Sequence, residues 1–263
     1  MKTNKKSFPF IRIVKKWHFL NNRFEGFLCF IFLICACFYI TLLITQIPLP
    51  VSSKKIFAKG NPNNHQAAKP VIIIDSGHGG KDPGKVGATG TLEKDINLKI
   101  ALYLKNILEA QDIKVIMTRD RDEDLSTDST RRKITDMKER VSLIQESNAD
   151  AVISIHQNSY TDPKIYGAQC FYSTNSADGK HLASILQEQI ITSTNQTKIR
   201  DIKSNDDYYL LKHSPLPTVI VECGFLSNPE EEQLLLTEAY QRKMAWAIHL
   251  GVLQYLNKNE NGS

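Results

Sequence analysis

The chain has 263 residues, 41% of them hydrophobic and 23% charged, with a formal net charge of +5. That length supports one sizeable core, and five cysteines without a C-x-x-C spacing exclude a disulfide-stapled miniprotein or a thiolate zinc site. Much of the positive excess lies in residues 1–26, where Lys2, Lys5, Lys6, Arg12, Lys15, Lys16 and Arg23 face one acid, Glu25; it speaks for anionic lipid and membrane topology, and no nucleic-acid partner is expected.

Phe27 to Thr45, FLCFIFLICACFYITLLIT, contains no charge. At about 1.5 Å per helical residue it approaches the roughly 30 Å hydrocarbon core of a bilayer. A basic flank ahead of an apolar run predicts a signal-anchor with its N-terminus in the cytoplasm and the following domain outside. A cleaved signal peptide is the rival reading, but its apolar region is usually shorter, and Gln46-Ile47-Pro48-Leu49-Pro50 has no small-residue cleavage site. Cys29, Cys35 and Cys37 read as small membrane residues, the preceding residues being a poor match to a lipidation signal. Residues 46–69 carry three prolines and no periodicity, as an extended linker does, and His65 there is expected to be solvated.

Residues 70–256 read as one domain, with 257–263 as a tail. Val71–Ile74 is a short, fully apolar, β-branched strand, broken by Asp75-Ser76-Gly77-His78-Gly79-Gly80. Ile96, Ile100, Leu104, Ile107 and Leu108 predict a helix ending near Ala110, and Ile113–Met117 a second strand. Arg119–Thr130 is too charge-mixed to bury and is expected to be a surface loop. Ile134, Met137, Val141, Leu143 and Ile144 outline a second helix, with Asp136 and Arg140 spaced for an i,i+4 pair. Ala151–His156 is a third strand and Gly167–Ser173 a fourth, expected at a sheet edge. Leu182, Ile185, Leu186 and Ile190 mark another helix, while Lys198–Leu211 has no clear pattern. Thr218–Glu222 is a strand as apolar as the first. Glu230–Leu256 closes the domain as a helix or helix pair, with Leu234, Leu235, Met244, Ala247, Ile248 and Leu256 as its buried stripe. Strands alternating with helices predict an α/β fold, a mainly parallel central sheet flanked by helices on both faces. Cys170 and Cys223 are expected to be buried and reduced.

Three strands end alike: VIIIDSGH, AVISIH and TVIVE each run apolar residues into a side chain capable of metal binding or proton transfer. In a parallel sheet their C-terminal ends share an edge, so His78, His156 and Glu222 can converge, joined by Glu93 at the start of the first helix. Two imidazoles and a carboxylate are a catalytic zinc set, and a surplus carboxylate can move the proton of an attacking water. Each residue also has a plain explanation. A strand-end histidine is commonly a hydrogen-bonding loop residue, and a glutamate opening a helix complements its dipole. Glu222, a carboxylate closing an apolar strand, needs a partner or a function.

His78 in DSGHGGKDPG, Glu93 in G-x-x-E-K-D, His156 in SIHQNS and Glu222 in VECGFLSN resemble the four signature blocks of the zinc-dependent N-acetylmuramoyl-L-alanine amidases of the amidase-3 type, in the family's order. The resemblance covers residues 70–256. It implies zinc held by His78, Glu93 and His156, with Glu222 as catalytic acid and base, and hydrolysis of the amide between N-acetylmuramic acid and L-alanine in peptidoglycan. It further implies an oxyanion held by the metal with help from a backbone N–H near Gly79-Gly80. Ser76 departs from the usual proline and is expected to change loop stiffness without loss of activity. Asn158 is open to two readings, a ligand- or substrate-contacting amide or a structural loop residue. His181, His213 and His249 fall outside the blocks. The basic arm, apolar segment and small domain are similar to the membrane-anchored germination- and sporulation-associated amidases of spore-forming bacteria. That likeness implies a single-pass protein of the cell membrane, its domain outside the cytoplasm (the forespore intermembrane space is one candidate compartment), acting in cortex maturation or germination; wall recognition is expected either in the domain itself or through an accessory activating protein. The alternatives are a zinc hydrolase of another wall amide or peptide bond and a non-catalytic wall-binding module.

Overall fold

The computed structural model describes residues 68–260 apart from 127 and 129. The basic arm, the apolar run 27–45 and the linker up to residue 67 lie outside the described residues, as do 261–263. Among the described residues no helix is long and apolar enough to cross a membrane.

The elements follow in the order β1 (Val71–Ser76), α1 (Glu93–Glu109), β2 (Lys114–Met117), α2 (Arg132–Glu146), β3 (Ala151–Asn158), β4 (Gln169–Tyr172), α3 (Ala177–Thr194), β5 (Lys203–Ser204), α4 (Tyr209–His213), β6 (Thr218–Phe225), α5 (Pro229–Leu236) and α6 (Glu238–Glu260). They form an α/β fold around one six-stranded sheet of order β2-β1-β3-β6-β4-β5. β2, β1, β3 and β6 run parallel, while β4 pairs antiparallel with β6. The expected edge position of the fourth strand is therefore corrected. β4 is interior, and the edge belongs to the two-residue β5, which lies in the stretch whose sequence has no periodicity.

Strand alternation sorts the core onto two faces. Ile72, Ile74, Ile153, Ile155, Val219 and Val221 face α1, α3 and α6, where Ile100, Leu104, Leu186 and Ile248 complete the larger core. Ile73 and Val152 face α2 and α4, packing with Val141, Ile144 and Leu210. Helices thus cover both faces, and every residue of β6 is buried. Each fully buried Ile or Leu contributes roughly 1.5–3 kcal/mol of burial, which is why these strands carry β-branched residues on both sides.

The closing helices form a pair. Asn228 caps α5, its side chain accepting from the backbone N–H groups of Glu230 and Glu231, with Pro229 in the first turn. The break at Thr237 resets the helical phase, so Leu234 is 49% exposed and does not belong to the buried stripe. Arg119 departs from expectation in the opposite sense. It heads the charged span 119–130, yet only 2% of its surface is exposed.

Because β2 lies on one side of β1 and β3 on the other, the chain reverses its direction of travel across the sheet at β1. Such a switch point opens a crevice beyond the C-terminal ends of the two strands, where open α/β sheets take their ligands.

Candidate metal centre and active site

His78 follows β1 by two residues and sits in the left-handed region, φ 60°. Glu93 is the first residue of α1, buried at 2% exposure, and His156 lies near the end of β3. One donor atom from each falls within 4.8 Å of the other two. His78 Nε2 lies 3.2 Å from Glu93 Oε2, and His156 Nδ1 lies 2.9 Å from Glu93 Oε1. The imidazoles meet edge to face, centroids 5.0 Å apart. Gly77 makes this approach possible, since a Cβ there would stand 2.3 Å from the His156 ring.

These residues fit a divalent metal. Donors about 2 Å from a tetrahedral ion stand roughly 3.3 Å apart, and the two histidine–glutamate spacings, each to its own carboxylate oxygen, are near that value. Both imidazole–carboxylate contacts need a ring proton, and a cation between the same atoms takes the place of both. The outer hydrogen bonds orient the donors as metal sites require. His78 Nδ1 is bonded to Asp82 Oδ2 at 2.8 Å. Glu93 Oε2 accepts from the Lys85 N–H at 2.8 Å, and Oε1 from the Gln157 N–H at 3.0 Å. Burial opposes charge on His78, but Asp82 and Glu93 outweigh it and hold the imidazolium up to about 9. Burial likewise opposes ionisation of Glu93, and the two histidines override it, keeping the carboxyl well below the usual range.

Glu222 stands on β6 in direct register with His156 on β3, so both side chains leave the sheet on the face covered by α2 and α4. Its Oε1 accepts from the Tyr208 hydroxyl at 3.2 Å; Oε2 is buried with no hydrogen-bond partner among the described residues. Burial, joined by the charge of Glu93 and opposed by His156, pushes this carboxyl up to about 7. A glutamate poised near neutrality with a free oxygen can both take and return a proton. All four residues line one cleft of ≈ 410 Å³, which also touches Lys133, Met137 and Tyr208.

The Gly79-Gly80 backbone does not form the expected oxyanion site. The Gly79 N–H donates to the Asp82 carbonyl at 3.0 Å and the Gly80 N–H to Asp122 at 2.9 Å, so both donors are spent within the loop. Asn158 lines the cleft, its Oδ1 accepting from the Ser159 N–H. Among the described residues, His181, His213 and His249 lie against Tyr255, Tyr209 and Trp246 and take no part in the cluster. Cys170 and Cys223 are free and buried. At Ser76 the N–H donates to Thr118 Oγ1 at 3.2 Å, a bond that proline could not make.

Sequence reasoning missed Asp82, Tyr208 and the depth of Arg119. Asp82 follows His78 by four residues in a loop with no periodicity, Tyr208 lies in the unpatterned stretch, and Arg119 sits in a span whose composition predicts exposure. Only a three-dimensional contact distinguishes them from surface residues.

The Amidase_3 family, described as N-acetylmuramoyl-L-alanine amidase, matches residues 72–254. The chain is 39% identical over 192 residues to the germination-specific N-acetylmuramoyl-L-alanine amidase of Bacillus subtilis, covering 72% of this chain and 80% of that protein. It is 29% identical over 236 residues to the amidase AmiA of Escherichia coli, 73% of this chain and 78% of that one. The CwlD amidase of Clostridioides difficile, solved in complex with the GerS lipoprotein, superposes with a TM-score of 0.70 at 42% identity, over 72% of this chain and 99% of that one. With the fold, the His-Glu-His cluster and these similarities in agreement, the chain belongs to the Amidase_3 family of N-acetylmuramoyl-L-alanine amidases.

Proposed function

We infer that the protein hydrolyses the amide joining N-acetylmuramic acid to L-alanine in peptidoglycan, with zinc as its metal. The observation that carries this reading is a two-histidine, one-glutamate cluster with a separate buried carboxylate, Glu222, register-paired to one of the histidines. In this reading His78, Glu93 and His156 hold the ion. When bound, it supplies Lewis-acid polarisation of the scissile carbonyl and of the attacking water. Glu222 takes the proton of that water on its free Oε2 while Tyr208 steadies Oε1, then delivers the proton to the departing amine of L-alanine. The burial that raises Glu222 equips it for both transfers, since a fully solvated carboxylate is a poor acid at neutral pH.

Further parts of the reading rest on the sequence and the relatives. The apolar run 27–45 behind a basic arm supports a single-pass anchor with the catalytic domain outside the cytoplasm. Likeness to a germination-specific amidase supports a role in germination, and the lipoprotein bound to the C. difficile relative supports an accessory partner. A reporter fused after Gly60 is accessible from outside intact cells; labelling from the cytoplasmic side alone refutes that topology.

The catalytic reading is tested on purified peptidoglycan by following new L-alanine amino termini. Chelation, His78→Ala and Glu222→Gln each abolish release, whereas Glu222→Gln retains zinc and His78→Ala does not. Release that survives the chelator removes the metal mechanism, and equal zinc in both variants removes the division of roles.

A further inference from the structure

We propose that Arg119 and Arg140 form a two-guanidinium clamp that positions His78 and Glu93 for metal capture. The proposal rests on the metal reading above and concerns residues outside the His78-Glu93-His156 ligand set.

At the end of β1 the backbone turns through Ser76-Gly77-His78, leaving three successive carbonyls to be served by side chains. Buried carbonyls without donors are strongly disfavoured, and a non-glycine residue in the left-handed region is disfavoured too, so this loop needs outside support. Two guanidinium forks provide it. Arg119 Nε donates to the Ser76 carbonyl at 2.9 Å and to the His78 carbonyl at 2.6 Å. Arg140 Nη1 donates to Ser76 at 2.9 Å and Nη2 to His78 at 2.8 Å. The carbonyl between them, Gly77, accepts from Arg119 Nη2 and from Asn97 Nδ2, both at 3.0 Å.

One further contact turns loop support into ligand spacing. Arg119 Nη2 also donates to the Lys94 carbonyl at 2.8 Å, in the first turn of α1 and one residue beyond Glu93. A single rigid planar group therefore bridges the backbones that carry two of the three donors. Lysine, with one ammonium point, cannot span them. The loop packs closely on this side chain: Gly79 has φ 137°, and a Cβ there would meet the Glu123 carbonyl at 2.2 Å and Arg119 Cδ and Nε at 2.8 Å.

Two buried cations beneath a cation site would repel the ion unless neutralised. Arg140 is paired with Asp75 Oδ1 at 2.6 Å and Asp136 Oδ2 at 2.8 Å. Two arginines and two aspartates leave the cluster formally neutral. Asp75 is fastened in turn by Thr118 and Ser154. What remains is a geometric effect, the holding of backbone carbonyls in place.

The test uses the full-length protein in detergent, comparing wild type with Arg119→Lys, Arg119→Gln and Arg140→Lys. Zinc affinity is read by competition with a chromophoric chelator, and thermal unfolding is followed with and without saturating zinc. Outer-shell positioning residues typically change metal affinity by about 10- to 100-fold, and that loss is expected in the Arg119 variants, with a smaller zinc-induced rise in Tm. Arg140→Lys, which keeps its charge beside Asp75 and Asp136 but loses the fork, is expected to lose affinity in the same direction. A folded Arg119→Lys protein that binds zinc like wild type overturns the proposal. So do Arg119 variants that melt lower yet show the full zinc-induced rise, or that fail to fold and are not restored by zinc, because either outcome makes the guanidinium a support of the fold alone. Wild type that takes up no zinc refutes the metal reading itself.

Discussion

Replacing Glu222 with glutamine is expected to stabilise the metal-free protein while silencing it. Burial, the main cause, raises this carboxyl from 4.5 to about 7. That difference corresponds to about 3 kcal/mol of unfavourable free energy in the ionised form. The sign follows from the proton count. Below pH 4.5 the group is protonated in the folded and unfolded chains alike and costs nothing. Between 4.5 and 7 the folded state holds the extra proton, so stability falls as pH rises, and above 7 the whole penalty is present. Glutamine does not titrate and can keep the hydrogen bond from Tyr208. In urea denaturation of chelated protein, the variant should gain on wild type by about 2–3 kcal/mol between pH 5 and pH 8, since all other titrations are common to both. For a domain of this size that is roughly 5–10 °C in Tm. Amidase activity should fall at least about 100-fold, the range expected for a lost general base. A variant no more stable than wild type at pH 8, or a difference that does not change with pH, would show that Glu222 is solvated and refute the reasoning.

Zinc must displace the proton that Asp82 and Glu93, against burial, hold on His78 up to about 9. Zinc affinity measured by chelator competition should therefore rise roughly tenfold per pH unit between 6 and 8, where a flat profile would contradict the ligand assignment. Asp82→Asn weakens the bond that orients His78 Nδ1 and should cost about tenfold in zinc affinity, seen by the same competition, and it should lower the melting of the metal-free protein, where Asp82 and the His78 imidazolium form an ion pair. Glu232, fully buried on α5, accepts from the Thr89 N–H at 3.1 Å and hydroxyl at 2.7 Å, fastening the loop that leads to Glu93. Glu232→Ala removes these bonds to the exposed Thr89 and should cost about 1 kcal/mol in urea denaturation; a neutral result would mean the loop is held elsewhere.

The architecture was legible where local chemistry and burial agree. The runs Val71–Ile74, Ala151–Ile153 and Val219–Val221 are apolar on successive residues, and only a strand with both faces covered tolerates that composition. The stripe Ile96, Ile100, Leu104 and Leu108 has one reading for the same reason. Reading failed where a residue's environment comes from distant chain. Leu234 looked buried until the break at Thr237 turned it outward, and β4 looked like an edge because nothing in Lys203–Ser204 announces a strand. Gly79 and Gly80 suggested free amide donors, but Asp82 and Asp122 had already taken them.

By itself the sequence determined the α/β alternation and the four side chains brought to one cleft, because strand-end residues in a parallel sheet must emerge along a common edge. Tertiary structure alone decided that Glu222 stands beside His156 with one oxygen unpartnered, and that arginines from two separate segments meet beneath His78. Pairing across strands and salt bridges over more than 40 residues depend on the three-dimensional path of the chain, and no local pattern encodes it.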